Sequence, residues 1–326
     1  MVDIIIPAYN CNKTLPKLLA SVELQTNKKD YLVTVIDDCS REDMTPIIND
    51  FKRRINLQYF RLEKNLKYPG LVRQEGILRT SAPYIMFVDS DDYLAPKAVD
   101  VANTVMTNTD ADVVIGYFYR ETKHGKWDIM KENSSTWLHG NIYRRDFLEK
   151  NEISFPSGYN EDGAFNTQCY MLTDKIRTVN IPIYYWTNTE GSITREKGKF
   201  SQRHANHFID TLTHAYSNIL KHSNNYEKIY SNMGTHIAFS YKLLNDILKL
   251  KKEDEEFEQA EKELITSLHN FVNHFELLKE NENLSFFKKG FLKGYTKYIV
   301  ENPIIQVNDF FKEFGIKITL IFEDLK

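Results

Sequence analysis

The chain has 326 residues, 42% of them hydrophobic and 27% charged, enough for about two domains of ~150 residues each. This composition excludes the disordered and fibrous classes. Lysine plus arginine is 42 against 45 for aspartate plus glutamate, a net charge of −3; a general nucleic-acid backbone binder needs excess positive charge, although a local basic patch stays open.

The first 120 residues alternate short apolar runs with segments of helical period. Val2 to Pro7 reads as a buried strand stopped at proline. Leu15, Leu18, Leu19 and Val22 then mark one helix face. Tyr31 to Ile36 is the second strand, ending in Asp37-Asp38, and Ile47, Ile48 and Phe51 mark the second helix. Leu57 to Arg61 is a third strand and Leu71 to Thr80 a third helix. Tyr84 to Val88 is a fourth strand, ending in Asp89-Ser90-Asp91-Asp92. Ala98 to Thr107 is helical and Asp112 to Phe118 is another strand. This β-α-β alternation predicts an α/β fold, a mostly parallel sheet covered on both faces by helices. Ligands of such sheets bind beyond the carboxyl ends of the strands. Pro7-Ala8-Tyr9-Asn10 and both acidic clusters fall there.

Residues 120 to 200 look more irregular and carry Trp127, Trp137 and Trp186 with several tyrosines. They suit an acceptor wall, since aromatic rings stack on sugars and bases; packing in the core is the simpler account. From about Phe200 the pattern is helical, so the boundary is placed near 200, leaving 201–326 as a helical C-terminal region. Cys11, Cys39 and Cys169 form no CxxC. Their sparse spacing excludes a disulfide framework and a thiolate zinc site and fits a reducing compartment. Met1-Val2-Asp3 lacks a basic leader, and no apolar stretch approaches the ~20 residues that span a bilayer. A cytoplasmic protein, at most peripheral on a membrane, is expected.

No GxxxxGK[ST] is present, and no GxGxxG follows a strand. Asp89-x-Asp91 offers another way to hold a nucleotide: paired carboxylates suit oxygen coordination of Mg²⁺ or Mn²⁺, which bridges to a diphosphate. Capping of the next helix by Asp91 or Asp92 is the bland alternative. Asp38 accepts a ring N–H of a base, or else makes a turn; Asp37 and Asp38 can divide these roles. Asn160-Glu161-Asp162 supplies a general base or a helix N-terminus.

These residues resemble glycosyltransferase family 2, the inverting transferases of the GT-A fold. Val2–Asn10 (VDIIIPAYN) is similar to the family's opening strand and nucleotide-contacting loop, which assigns Pro7, Ala8 and Tyr9 to the nucleotide. Ser21 to Thr26 resembles its S-x-x-x-Q-T helix end, and Asp37-Asp38-Cys39-Ser40 its D-D-x-S, whose second aspartate, Asp38, binds the base. Gly70 to Ile77 resembles A-R-N-x-G-I, so Arg73 faces the nucleotide; Gln74 stands where asparagine is usual. Phe87 to Leu94 is close to F-L-D-S-D-D-x-L, making Asp91 the main metal ligand, with Asp89 and Ser90 supporting metal and donor. Trp137 to Phe147 resembles the stretch before the acceptor site. Glu161 to Phe165 resembles E-D-x-x-F, whose aspartate, Asp162, is the base. Tyr184-Tyr185-Trp186 and Gly191 to Thr194 resemble a lid, with Trp186 replacing a frequent arginine for which Arg195 can substitute.

The resemblance implies a GT-A domain over 1–200, with a nucleotide-binding half (1–120) and an acceptor half (121–200). It implies transfer from a nucleotide sugar, UDP in the first place, to a glycan or lipid-linked acceptor of bacterial surface polysaccharide or teichoic acid. An exposed Asp162 of ordinary pKa would suffice as base. Alternatives are a phage-type transferase acting on a nucleic-acid base or a protein, and a non-catalytic sugar-nucleotide scaffold. His204 or His207 is a candidate extra metal ligand, against the simpler account of surface histidines. Leu284, Phe287, Phe291, Tyr295 and Tyr298 form one helical face beside Lys289, Lys293 and Lys297. That face suits helix packing, self-association into a homo-oligomer or an anionic membrane surface.

Overall fold

The computed structural model describes residues 1–131, 137–189, 202–226 and 228–236, with residues 266, 267, 270, 271, 274 and 275; for 202–207 it describes the backbone alone. The chain divides into two compact units, Met1–Glu196 and Lys197–Lys326. In the first unit the strands are β1 (Val2–Ala8), β2 (Tyr31–Asp37), β3 (Leu57–Arg61), β4 (Tyr84–Phe87), β5 (Tyr93–Leu94), β6 (Val113–Glu121), β7 (Trp127–Met130), β8 (Asn141–Arg144) and β9 (Ile176–Trp186). The helices are α1 (Leu15–Glu23), α2 (Thr45–Phe51), α3 (Pro69–Leu78), α4 (Ala98–Asn108), α5 (Arg145–Lys150) and α6 (Glu161–Leu172). Proline opens α1, α2 and α3, where its missing N–H costs no hydrogen bond.

One sheet runs β3-β2-β1-β4-β8-β6-β9-β5, with β7 on β6. The half β3-β2-β1-β4 is parallel, as the βα alternation requires. Beyond β4 the sheet is mixed: β8 enters antiparallel to both β4 and β6, β9 is parallel to β6, and β5 is antiparallel to β9. Residues 120 to 200 are accordingly more regular than their pattern suggests. β7, β8, α5, α6 and β9 all fall there, and the first seven residues of β9 are no more than half-buried, which blurs the hydrophobic alternation.

The strands alternate between two cores. Ile4, Ile6 and Met86 pack with Leu15, Leu18, Leu19 and Val22 of α1 and with Val99 and Ala102 of α4. Ile5, Ile85 and Phe87 point the other way, toward Tyr143, Phe155 and Phe165. Gly76 lets α3 settle on β1, since a Cβ there would collide with Ile5. A buried ion pair joins distant parts of the chain. Arg145 Nη2 donates to Asp3 Oδ2 at 2.9 Å, and Ala82 N to the same oxygen at 2.7 Å. Arg145 also donates to the carbonyls of Ala82 and Ile77 and to the Thr80 hydroxyl. The start of β1, the α3–β4 turn and α5 therefore share one guanidinium.

In the second unit, α7 (Gln202–His222) buries Phe208, Ile209, Leu212, Ala215, Tyr216 and Ile219 along one face. Tyr216 Oη meets Asn232 Oδ1 at 2.7 Å and His236 Nδ1 at 2.8 Å. Burial pushes His236 down to about 4, so it is neutral at physiological pH. Among the described residues no helix is long and apolar enough to cross a membrane. The apolar face from Leu284 to Tyr298, its lysines, Gly191 to Thr194 and Arg195 lie outside the described residues.

Replacing Arg145 by alanine leaves Asp3 buried without its counter-charge. The expected loss is about 3–5 kcal/mol of unfolding free energy, measured by urea titration.

Candidate active site

The site is built at the carboxyl ends of β1, β2 and β4. Ala8 and Pro7 close β1, with Tyr9 beyond them 47% exposed. Asn10 takes a positive φ of 50°, and its Oδ1 accepts Arg41 N while its own N donates to Ser40 Oγ. The loops after β1 and β2 are thus tied together. The Asp37–Asp38 pair divides its labour. Asp37 is fully buried and accepts Ser40 N, Tyr59 Oη and Arg61 Nη1, at 2.8, 2.7 and 3.0 Å. Asp38 accepts Leu66 N at 2.6 Å through Oδ1, and its own N donates to the Ala8 carbonyl. Burial raises the Asp38 carboxyl, offset by the N–H groups of Leu66 and Lys67. Asp37 anchors the turn to Ser40, and Asp38, just past the end of β2, anchors the loop at Asn65 and Leu66.

The acidic run after β4 also separates. Asp92 is buried; its Oδ2 accepts the Tyr184 hydroxyl at 2.6 Å and its Oδ1 accepts Thr187 N at 2.8 Å. It ties β9 to the β4 loop and does not cap α4, whose first turn starts after Lys97 with no side-chain cap. Burial, then Asp89 and Asp91, hold its carboxyl well above the ordinary range. Asp91 is half-buried and raised by burial and by Asp89. The Cys11 thiol, beside Ser90, donates to Met44 Sδ at 3.7 Å, and burial pushes it up to about 11.

Arg73 is at the centre. Its side chain, 4% exposed, donates from Nη2 to Asp89 Oδ1 at 2.5 Å and from Nη1 to Asp162 Oδ1 at 2.8 Å and Glu161 Oε1 at 3.3 Å. Burial disfavours the Asp89 charge, but Arg73 and His139 outweigh it and hold Asp89 well below the usual carboxylate range. Asp162 goes the other way: burial, only partly offset by Arg73, pushes it up to about 7. Asp162 is therefore not the exposed carboxylate of ordinary pKa expected above. Glu161 and Asp162 also occupy the first turn of α6, where carboxylates favour the helix N-terminus. Asn160 at the N-cap is left-handed, with φ 69°.

His139 was missed by motif reasoning. Its Nε2 lies 3.8 Å from Asp89 Oδ2 and 3.9 Å from Asp92 Oδ2, and its ring stacks on Trp186 at 4.8 Å. Donor atoms of Asp89, Asp92 and His139 lie within 4.8 Å of one another, a set of two carboxylates and one imidazole that fits a divalent cation. The expected pair was Asp91 and Asp89; Asp91 is not in this cluster. Trp137 and Trp186 pack against each other and against Phe118 beside it, half-buried, whereas Trp127 sits on β7, 39% exposed. His204 and His207 lie on α7, where side chains are outside the described atoms.

Acidic loops at the mouth of a half-parallel α/β sheet, joined to a carboxylate pair on a following helix, define the GT-A class of glycosyltransferases. Residues 3–161, just under half of the chain, match the model of Glycosyl transferase family 2. The TarS poly(ribitol-phosphate) β-N-acetylglucosaminyltransferase of Staphylococcus aureus is 27% identical over 205 residues, covering 58% of this chain and 36% of that protein. The poly(ribitol-phosphate) β-glucosyltransferase of Bacillus spizizenii is 23% identical over 324 residues, covering 94% of this chain and 51% of that protein. The chain thus spans between about a third and a half of these relatives' lengths. The crystal structure of S. aureus TarS 1–349 in complex with UDP-GlcNAc shares the fold, with a TM-score of 0.70 at 21% identity, covering 91% of this chain and 89% of that one.

Gly70 packs against the site: an added Cβ would meet Glu161 Cγ at 2.5 Å and the Phe155 ring at 3.1 Å. Gly70→Ala is expected to displace Glu161 from Arg73 and cut turnover by about 10²-fold. Steady-state kinetics beside a thermal melt test this; unchanged turnover in a folded variant contradicts it.

Proposed function

We propose that this chain transfers a sugar from a UDP-sugar to a hydroxyl of an anionic surface glycan, with inversion at the anomeric carbon. The observation that carries this reading is the bridge from Asp89 to Asp162 through Arg73, which puts a strand-end carboxylate and a candidate base in one cleft. The relatives' names supply the substrate class: a poly(ribitol-phosphate) acceptor and an N-acetylglucosamine or glucose donor. The β linkage in those names is what inversion of an α-linked UDP-sugar gives.

Pro7, Ala8, Tyr9 and Asp38 line the nucleotide end in this reading, with Ser90 beside the sugar. Asp91 and Asp89, with Asp92 and His139 adjacent, would hold Mn²⁺ or Mg²⁺. A cation bound there would offset the charge that develops on the diphosphate leaving group. Asp162 accepts the proton of the acceptor hydroxyl as that oxygen attacks the anomeric carbon from the face opposite the diphosphate. The C–O bond to the diphosphate breaks, and UDP leaves with its electron pair. Arg73 stabilises the ionised form of Asp162 against the cost of its burial. The reaction belongs in the cytoplasm, where nucleotide sugars are made.

A thermal-shift panel of nucleotide sugars with Mn²⁺, followed by product mass measurement, identifies donor and acceptor. Asp162→Asn is expected to lower transfer by about 10²- to 10⁴-fold while UDP binding persists; full turnover in that variant removes Asp162 from the role. EDTA is expected to abolish transfer and Mn²⁺ to restore it. Because the base must be ionised and burial pushes Asp162 up to about 7, kcat is expected to rise with pH through that value. A pH–rate profile flat between about pH 5 and 8 contradicts this.

A further inference from the structure

Arg73 offers almost no surface to a nucleotide, being 3% exposed. Among the described residues, its guanidinium directly links Asp89, delivered by the end of β4, and Asp162, delivered by the first turn of α6. Nη1 is shared between Asp162 and Glu161, and the guanidinium lies 5.9 Å from the Phe155 ring centre, which walls it from below. Among the described residues the buried Nε has no hydrogen-bond acceptor, and the side chain is held by its carboxylates and its packing. A guanidinium is a rigid planar fork and sets the spacing of the groups it joins; an ammonium is a point charge and does not.

We propose that Arg73 is a positioning residue for the base, holding Asp162 in register with the donor-side Asp89, and that it does not read the nucleotide. The inference rests on Asp162 being the base. In the reaction proposed above, Asp89 belongs to the donor side and Asp162 to the acceptor side. One cation spanning both sets the distance between the anomeric carbon and the attacking hydroxyl. Loss of that span misplaces the base without emptying the nucleotide pocket, so the cost falls on kcat.

The test uses the full chain with Arg73→Gln and Arg73→Lys, folding checked by circular dichroism. UDP with Mn²⁺ is the calorimetric probe. The expected result is UDP affinity within about threefold of the parent, kcat lowered by about 10²-fold and an almost unchanged donor KM. Lysine restores little of kcat, because its charge cannot reach both carboxylates. Adding Asp162→Asn to Arg73→Gln costs little more, since the pair acts as a unit. A thermal-unfolding double-mutant cycle between Arg73 and Asp162 reads the link without any turnover, and non-additive shifts in Tm are expected. If Arg73→Gln fails to fold, the cycle is run with Arg73→Lys. UDP binding weakened about tenfold with kcat intact overturns the proposal in favour of nucleotide recognition. Additive Tm shifts overturn it whatever the activity. Coupled Tm shifts in a chain that transfers no sugar leave the link standing and remove the assignment of Asp162 as base.

Discussion

Three carboxylates from two parts of the chain meet on one buried guanidinium, and the candidate site depends on that meeting. Asp89, Glu161 and Asp162 would repel one another in a half-buried space. Arg73 compensates them, at the cost of being desolvated itself. The compensation is uneven. Asp89, with Nη2 at 2.5 Å and His139 nearby, is held firmly ionised. Asp162 shares Nη1 with Glu161 and stays near the pKa that suits a base at neutral pH. The two carboxylates share one cation yet differ, because His139 adds to Arg73 at Asp89 while Glu161 and Asp89 add their repulsion to burial at Asp162.

The remainder of the fold serves to deliver these groups. β4 brings the acidic run to the sheet's carboxyl edge, and α3 lies against β1 closely enough for Arg73 to reach across. The absence of a Cβ at Gly70 leaves room for Glu161 beside α3. Behind the site, Asp92 is used as a structural anchor. It accepts from Tyr184 and Thr187, which fastens β9 to the loop after β4 and orders the backbone around Asp89 and Asp91. The buried Asp3–Arg145 pair likewise ties α5 to the start of β1.

Much of this was legible before any coordinates. Continuous apolar strands followed by acidic pairs mark β1, β2 and β4 and place ligand chemistry at their ends. The helices α1 and α4 follow from their apolar spacing, and the family motifs point to Asp38, Asp89, Asp91 and Asp162. Less was legible after Glu121. β9 begins with residues partly open to solvent and only its last part is buried, so its alternation is weak. β8 is four residues long and pairs antiparallel with strands on both sides. Neither pattern separates from loop by periodicity alone.

The sequence by itself determined the βα half of the sheet, the strand-end carboxylates and the resemblance to a glycosyltransferase family, because these depend on local periodicity and on short motifs read along the chain. Only the tertiary structure decided which aspartate does what. Asp37 became a turn anchor and Asp92 a strut, while His139 came to stand beside Asp89 through the β4–β8 pairing. Arg73 was committed to three carboxylates, and burial raised Asp162. The physical reason is that a side chain's charge, partners and pKa are set by neighbours distant in sequence, and no local spacing encodes them.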